Sequence, residues 1–308
     1  MSNEALYPVP SNFSDAHITP EKYHDMYRAS LDDPETFWSQ QAEEFLSWDK
    51  TWDSVCESDL STGHARWFDG GKLNASVNCI DRHLPHRADQ TAILWEGDDP
   101  GESQHITYQV LKDEVCRLAN VMHDRGVRPG DRVCIYMPMV PEAAYAMLAC
   151  TRIGAIHSVV FGGFSPEALK DRINDASCRM VITADEGLRG GKKVPLKTNV
   201  DAALTHCPSI DTVIVLERTG AAIDWVPDRD IAYGASTRAA SPDFVPVSMD
   251  SEAPLFILYT SGSTGKPKGV LHTTGGYLLQ AASTFKYVFD YREGEVFWCT
   301  ADVGWVTG

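Results

Sequence analysis

Short apolar runs alternate with longer amphipathic segments between residues 90 and 185 of the chain. This alternation is typical of a sheet of parallel strands that are connected through helices. Strands are expected at residues 91–95, 132–137, 155–161 and 180–183, and helices at 108–125, 141–154 and 165–175. The strand pattern continues at residues 212–216, 255–259 and 295–300. We therefore predict an α/β fold in which parallel-rich sheets are covered by helices.

Several element boundaries are marked by residues with defined conformational preferences. Gly126 is expected to end the helix over residues 108–125, and Gly154 to end the helix that begins at Pro141. Ser165 is expected to cap the helix at residues 165–175. Residues 218–252 are rich in Gly, Pro, Asp and Ser and show no periodicity, which predicts a long loop. The apolar face of the helix at 108–125 is expected to comprise Leu111, Val115, Leu118 and Met122.

The first 80 residues are polar, acidic and rich in aromatic side chains. An amphipathic helix is expected to begin after Pro34, because aromatic residues recur near helical spacing there. We expect this segment to dock its aromatic face on the main body of the protein. The aromatic residues concerned are Phe37, Trp38, Phe45 and Trp48.

The strand expected at residues 255–259 runs directly into a segment, residues 260–269, with three glycines, four hydroxyl side chains and two lysines. Glycine lets backbone N–H groups turn towards an anion, and hydroxyl and ammonium groups add further donors. The pattern predicts a phosphate-binding loop. Its candidate residues are Thr260, Ser261, Gly262, Ser263, Thr264, Gly265, Lys266, Lys268 and Gly269.

This segment differs from the Walker loop, in which a glycine, four residues and Gly-Lys-Ser/Thr lead into a helix. Thr260 stands where the first glycine would be, and Pro267 follows Lys266. Proline keeps the preceding residue away from the helical region, so no helix begins at Lys266. A Walker-type phosphotransferase is therefore disfavoured. A flexible linker is disfavoured too, because a linker needs neither a buried strand before it nor paired lysines.

Two further glycine-bearing segments, residues 184–193 and 301–307, also follow expected strands. Ligands of open α/β sheets bind outside the carboxyl ends of the strands, so we expect the three segments to face one crevice. Within the first, residues 189–192 combine a guanidinium, two flexible peptides and an ammonium group. That combination suits a terminal phosphate, although an exposed basic turn has the same composition.

Composition excludes several other classes of protein. The formal net charge is −16, and a protein that binds nucleic acid needs a basic face, so no nucleic-acid partner is expected. The sequence contains no run of eighteen apolar residues, so no membrane span is expected. The first residues lack the features of a secretory signal. The eight cysteines form no C-x-x-C pair. They are expected to be core thiols in a reducing compartment, the cytoplasm, and neither zinc ligands nor disulfides.

The sequence YTSGSTGKPKGV at residues 259–270 resembles the phosphate-loop signature of the adenylate-forming superfamily. The flanks LHTTGGYLL and VFWCTADVGWVTG narrow the resemblance to acetyl-CoA synthetases, the AMP-forming acetate–CoA ligases, and WFDGGKLN and RGGKK extend it. The resemblance implies an N-terminal extension of the acetyl-CoA synthetase type at residues 1–84. Residues 85–308 would form the first part of an AMP-binding domain.

The activity that this resemblance implies converts ATP, acetate and CoA into acetyl-CoA, AMP and diphosphate through an acetyl-adenylate. Residues 260–269 would hold the phosphates of ATP, with Thr264 and Lys266 as catalytic residues. The matching turn of acetyl-CoA synthetases contacts CoA, which implies a CoA site formed by Arg189, Gly190, Gly191, Lys192 and Thr307. An acyl pocket would be lined by Trp305, Val306 and Thr307.

The resemblance also implies features that are not found in these residues: a glutamate that binds Mg²⁺, an aspartate that holds ribose, and a small C-terminal domain with the adenylation lysine. We therefore expect Mg²⁺ to be bound by a ligand outside this chain, no metal ligand within it, and a longer enzyme of which this is the N-terminal portion. Two alternatives stay open. One is a nucleotide- or CoA-binding portion without turnover, and the other is a ligase for a different short acid such as propionate.

Overall fold

The computed structural model describes residues 9–10, 13–59, 61–260 and 267–306. The helices are α1 Pro20–Asp32, α2 Pro34–Phe45, α3 Ala75–Cys79, α4 Leu84–Arg87, α5 Tyr108–Asp124, α6 Pro141–Ile153, α7 Pro166–Asp175, α8 Leu196–Leu204, α9 Tyr233–Ala239 and α10 Thr274–Tyr287. The strands are β1 Ser54–Asp59, β2 His64–Asp69, β3 Lys72–Leu73, β4 Thr91–Glu96, β5 Ser103–Thr107, β6 Arg132–Tyr136, β7 Ile156–Val159, β8 Met180–Ala184, β9 Gly187–Arg189, β10 Lys192–Val194, β11 Thr212–Leu216, β12 Asp230–Ala232, β13 Met249–Asp250, β14 Pro254–Thr260 and β15 Lys268–Thr273. Within the described ranges, no helix is long and apolar enough to cross a membrane.

The largest sheet contains seven strands in the order β12-β11-β8-β6-β7-β14-β15. Every neighbouring pair is parallel except β14 and β15, which are antiparallel. The inner strands β7 and β8 are buried along their whole length. This sheet confirms the α/β class with mainly parallel strands that the sequence predicts.

Helices cover both faces of this sheet, as the alternation of side chains along β6 demonstrates. Val133 and Ile135 pack in a core cluster with residues of α5, α6 and α9. The alternate residues, Cys134 and Tyr136, pack in a second cluster with residues of α7 and α8. Successive side chains of a strand point to opposite faces, so one strand serves both cores.

The helix boundaries follow the signals read from the sequence. The four residues predicted for the apolar face of α5 are all buried, and Gly126 follows the helix with a φ of +86°. Gly154 ends α6 in the left-handed conformation. The side chain of Ser165 accepts a hydrogen bond from the N–H of Ala168 and caps α7. These predictions are confirmed.

The expected strand at residues 91–95 exists as β4, but it does not join the large sheet. It pairs antiparallel with β5, with Glu96 opposite Ser103. A strand pattern specifies the backbone conformation but not the partner. A partner only a few residues away in the chain is reached at a low entropic cost of loop closure.

The prediction of a strand at residues 295–300 is wrong, because these residues form no strand and are all exposed. A strand needs a neighbour to accept its backbone hydrogen bonds, and no described segment pairs with this one.

The prediction of a long loop at residues 218–252 is also wrong, because this segment contains β12, α9 and β13. These elements span three, seven and two residues, which is too short to generate a detectable period. The ion pair of Asp230 with Lys197, at 2.9 Å, helps to hold β12 at the edge of the sheet.

The aromatic residues near the N-terminus form a cluster that packs against α10. The ring of Trp48 lies 4.9 Å from that of Trp52 and 5.4 Å from that of Phe68, and Leu279 of α10 is buried in the same cluster. The helix predicted after Pro34 is α2, although Trp48 lies beyond its end. The aromatic side chains therefore attach this region to the helix that follows β15.

Candidate functional site

The carboxyl ends of six parallel strands lie at one edge of the large sheet. The segments that leave this edge include residues 137–140 after β6, 160–165 after β7 and 185–195 after β8. β14 also ends here, at Thr260. Open α/β sheets bind ligands at this edge, so the side chains on these segments define the candidate site.

The segment after β8 forms a β-hairpin, with β9 and β10 joined by Gly190 and Gly191. The φ angles of these glycines are +55° and +73°, and a Cβ added to either would meet no atom within 4 Å. Two central residues with positive φ are the requirement of a type I′ turn. The tip of the hairpin is therefore open, and its exposed cations Arg189 and Lys192 are cross-strand neighbours.

The same hairpin contacts an aromatic surface made by the residues after β7. The guanidinium of Arg189 lies 4.5 Å from the centre of the Phe161 ring. The ring of Trp305 lies 5.6 Å from that of Phe161 and 6.0 Å from that of Phe164. We call Phe161, Phe164 and Trp305 the aromatic floor. Two of the three segments expected to share a crevice, residues 184–193 and 301–307, thus meet at this floor.

Gly304 brings the Trp305 segment close to the floor. A Cβ at this position would lie 2.9 Å from the backbone nitrogen of Phe161, closer than any side chain could approach. The N–H of Gly304 donates to Oδ1 of Asp302 at 2.8 Å, and Trp305 is 45% exposed. Trp305 therefore packs against Phe161 and Phe164 and leaves part of its side chain accessible to a ligand. Val306, the next residue, is exposed.

Buried polar groups hold the aromatic floor in place. The hydroxyl of Tyr136 donates to the carbonyl of Phe164 at 2.7 Å. The guanidinium of Arg172 lies 4.5 Å from the Phe164 ring and 5.4 Å from the Tyr259 ring. The Tyr259 hydroxyl donates to Asp175 at 2.6 Å. These contacts link the floor to β14, the strand that leads into the predicted phosphate loop.

Asp185 fastens the segment after β11 to the end of β8. It is 1% exposed, and its carboxylate accepts hydrogen bonds from the backbone N–H groups of Glu186, Arg218, Thr219 and Ala221. Burial raises the pKa of Asp185, but these hydrogen bonds outweigh it and leave the pKa below its usual value. Asp185 is consequently a structural carboxylate, because its oxygens are occupied by hydrogen bonds from the protein backbone.

Most of the predicted phosphate loop lies outside the described residues. β14 ends at Thr260 and β15 begins at Lys268, and these two residues are paired across the strands. Lys268 and Gly269 are exposed. The candidates that fall outside the described residues are Ser261, Gly262, Ser263, Thr264, Gly265, Lys266 and Thr307.

The described residues do not fit a magnesium site. They contain no group of three or more His, Cys, Asp or Glu side chains that could hold a metal ion. Asp185 and Asp302, at the edge of the sheet, both accept backbone hydrogen bonds. We therefore assign no chemical step to a metal held by these residues.

The sequence reading did not single out Phe161, Phe164, Arg172 or Tyr136. A signal for the first two is present, since the sequence FGGF directly follows an apolar strand. Arg172 lies in the middle of an ordinary amphipathic helix and Tyr136 inside a strand, so their contacts depend on tertiary packing.

Comparison with known proteins identifies the family. The profile of the AMP-binding enzyme family matches residues 80–308, and that of the acetyl-coenzyme A synthetase N-terminus matches residues 23–79. Acetyl-coenzyme A synthetase of Saccharophagus degradans is 64% identical over 309 residues, an alignment that covers 100% of this chain and 48% of the relative. Acetyl-coenzyme A synthetase 2 of Pseudomonas putida is 67% identical over 293 residues, covering 95% and 45%.

A solved structure agrees with the sequence comparisons. Acetoacetyl-CoA synthetase from Streptomyces lividans superposes with a TM-score of 0.84 at 28% identity, over 92% of this chain and 43% of that one. The chain thus spans about half the length of the curated relatives that it matches. It belongs to the family of AMP-binding enzymes, and acetyl-coenzyme A synthetases are among its relatives.

Proposed function

We propose that the intact protein is an acetate–CoA ligase that converts ATP, acetate and CoA into acetyl-CoA, AMP and diphosphate. The observation that carries this proposal is the identity of 64% to an acetyl-coenzyme A synthetase over the whole of this chain. The substrates are therefore small molecules, and the cytoplasm, which contains all three, is the proposed compartment. The domain boundary near residue 84 belongs to the same proposal and is supported by the profiles that meet at residues 79 and 80.

The reaction proceeds in two steps. A carboxylate oxygen of acetate attacks the α-phosphorus of ATP, the bond to the bridging oxygen breaks, and diphosphate leaves. The thiolate sulfur of CoA then attacks the carbonyl carbon of acetyl-adenylate, and AMP leaves as the carbon–oxygen bond breaks. Both steps develop negative charge on phosphate oxygens, which fixed donors stabilise.

The ATP phosphates are assigned to residues 260–269, where Thr264 and Lys266 are the proposed catalytic residues. Support comes from the composition of the segment and from β14, which delivers Thr260 to the carboxyl edge of the sheet. Backbone N–H groups and hydroxyls would hold the β- and γ-phosphates. The ammonium of Lys266 would neutralise charge on the departing diphosphate. In this proposal Mg²⁺ has ligands outside this chain only.

CoA is assigned to the hairpin tip at Arg189, Gly190, Gly191 and Lys192, together with Thr307. Support comes from the open type I′ turn and from the two exposed cations that flank it. In a protein with a net charge of −16, an anionic ligand needs such a local concentration of positive charge. The acyl end is assigned to Trp305, Val306 and Thr307, and the aromatic floor supports it by offering the exposed face of Trp305.

The test is acetate-dependent exchange between labelled diphosphate and ATP, measured on the intact protein and on residues 1–308 alone. Exchange by the intact protein is expected, and its absence would refute the ligase assignment. Lys266→Ala is expected to lower kcat/KM for ATP. Arg189→Ala is expected to raise KM for CoA in thioester formation and to leave the exchange unchanged, since CoA takes no part in adenylation.

The alternatives give different results in the same assay. A portion that only binds nucleotide or CoA would bind ATP without any exchange. A ligase for another acid would exchange faster with propionate than with acetate. An equal loss of both half-reactions in Arg189→Ala would place this residue outside the CoA site. Lys193→Ala is the matched control for Arg189→Ala, because it lies on the same hairpin but is paired with Glu186 at 3.0 Å.

A further inference from the structure

A second cluster of basic side chains, two arginines and two histidines, lines a surface depression of about 350 Å³ around α4. Four of its six lining residues are basic, in a chain whose formal net charge is −16. None of the six belongs to the candidate site at the carboxyl edge of the sheet. We call this depression the basic pocket, and its lining residues are Arg82, His83, His86, Arg87, Gln90 and Glu293.

Hydrogen bonds connect one wall of the basic pocket to the rest of the protein. The carboxylate of Asp81, the residue before Arg82, accepts hydrogen bonds from both terminal nitrogens of Arg152, at 2.7 and 2.9 Å. Arg152 is 2% exposed, so this two-pronged ion pair connects the pocket to the core through α6. Arg82 itself donates to the carbonyl of Phe45 at 2.6 Å. The backbone at Asp81 and Arg82 is therefore tied to α6 and to the end of α2.

Among the described residues that line the pocket, one is a carboxylate, and it faces the guanidinium groups. Glu293 lies 3.0 Å from Arg87, and its side chain is 68% exposed. Burial lowers the pKa of His83, and the charges of Arg82 and Arg87 lower it further. The imidazole therefore experiences a positive potential that Glu293 does not cancel. An anion with two charges would offset this potential better than one carboxylate does.

We propose that the basic pocket binds the phosphate group of a small soluble anion, as a site separate from the substrate sites of the proposed reaction. The guanidinium of Arg87 would give up its pair with Glu293 and bind phosphate in a bidentate manner. Arg82 would add charge, and the imidazoles of His83 and His86 would donate hydrogen bonds. The acidic protein as a whole repels extended anionic surfaces, so a free phosphate fits better than a lipid headgroup.

Calorimetric titration of the intact protein with inorganic phosphate, at constant ionic strength, tests the proposal. Binding is expected, and Arg87→Ala should weaken it about tenfold or more, the effect of losing a charge-assisted hydrogen bond. Glu293→Gln should tighten binding roughly two- to fivefold, because it removes the competing carboxylate of an exposed ion pair. Arg125→Ala, an exposed arginine on the turn after α5, is the matched control and should change nothing.

Three outcomes would overturn the proposal. These are no phosphate binding by the wild-type protein, an affinity that Arg87→Ala and Glu293→Gln leave unchanged, and binding to phosphatidylglycerol vesicles in place of phosphate. Glu293 is well exposed, so Glu293→Gln is informative even if Arg87→Ala misfolds. Lys266→Ala should retain this binding, which separates the pocket from the ATP site. Failure of the ligase proposal would appear in diphosphate exchange alone and would leave the titration interpretable.

Discussion

Burial divides the cationic side chains of this protein into two groups with different roles. Lys197 is 1% exposed, and its ammonium lies 2.7 Å from Asp201 and 2.9 Å from Asp230. It also donates to the carbonyl of Asp224 at 2.9 Å. A buried ammonium is stable only with such a set of partners, so Lys197 is a structural residue. Arg189, by contrast, is exposed and stacks on Phe161, which leaves its donors free to meet a ligand.

Lys197→Met is expected to reduce the free energy of unfolding by about 3 kcal/mol, because it leaves the carboxylate of Asp230 buried with fewer partners. Urea unfolding, followed by circular dichroism, measures this loss. Lys193→Met is the control: the side chain of Lys193 is 61% exposed, and loss of its pair with Glu186 should cost less than about 1 kcal/mol. Equal losses in the two variants would contradict the structural role of Lys197.

Among the secondary-structure elements, the hairpin β9–β10 places cations at the carboxyl edge. It is short, with three residues in each strand, and its register depends on the turn at Gly190 and Gly191. The N–H of Gly191 donates to Asp98 at 3.1 Å, a contact that ties the tip to the loop between β4 and β5. The geometry of the turn therefore controls where Arg189 and Lys192 lie.

Gly190→Ala is expected to destabilise the turn by about 1–2 kcal/mol, since a residue with a Cβ is strained at positive φ. The space around the tip is open, so the strain is conformational and not a collision. If the proposed CoA site is correct, KM for CoA should rise while acetate-dependent diphosphate exchange persists. Gly190→Asn, which tolerates the left-handed conformation, should stay close to the wild type. A KM for CoA that is the same in both variants and in the wild type would disprove this link between turn and site.

Across the whole molecule, acidic residues outnumber basic ones by 43 to 27, yet several carboxylates stabilise the fold. Asp185 connects β8 to the segment after β11, and Asp230 connects β12 to α8 through Lys197. The pKa of each is lowered although burial opposes ionisation, by hydrogen bonds for Asp185 and by Arg229 and other partners for Asp230. The folded state therefore favours the ionised form of both groups.

Stability is expected to fall as the pH is lowered past the ordinary aspartate value of 3.8. A carboxyl whose pKa is lower in the folded state stabilises the fold above its unfolded pKa, and this contribution disappears as the group becomes protonated. Asp185→Asn should lower the free energy of unfolding at pH 7 by about 1–3 kcal/mol, the cost of unsatisfied buried donors. Urea unfolding of the wild type and of Asp185→Asn is measured at pH 7 and at pH 3. If the difference in unfolding free energy between the two proteins did not shrink at pH 3, this carboxylate would be excluded as the cause.

Local patterns were enough to predict the parallel core of the fold. The boundaries of α5, α6 and α7 followed from Gly126, Gly154 and Ser165, because caps and left-handed glycines act within a few residues. β15 was not expected, since its apolar residues Val270 and Leu271 follow the glycine-rich loop without a strand signal of their own. Its pairing with β14 is a contact between strands that no local pattern encodes.

The candidate site was predictable to a similar extent. The basic turn at residues 189–192 was found from composition, whereas its contact with Phe161 depends on the parallel order of β7, β6 and β8. Of the three segments expected to face one crevice, the structure brings together those around Arg189 and Trp305. The assignments of Thr264 and Lys266 stay predictions, because both residues lie outside the described part of the chain.

The amino-acid sequence alone determined helices α2, α5, α6 and α7 and the inner strands of the large sheet, since propensity and capping are local properties. The phosphate-binding roles that its composition indicates stay predictions. Only the tertiary structure decided that β4 leaves the large sheet, that residues 295–300 form no strand, and that Arg189 and Trp305 meet at the aromatic floor. Those outcomes depend on which segments become neighbours. Strand pairing and ring stacking join residues that are far apart in the chain, and their free energies are gained only after the whole sheet has formed.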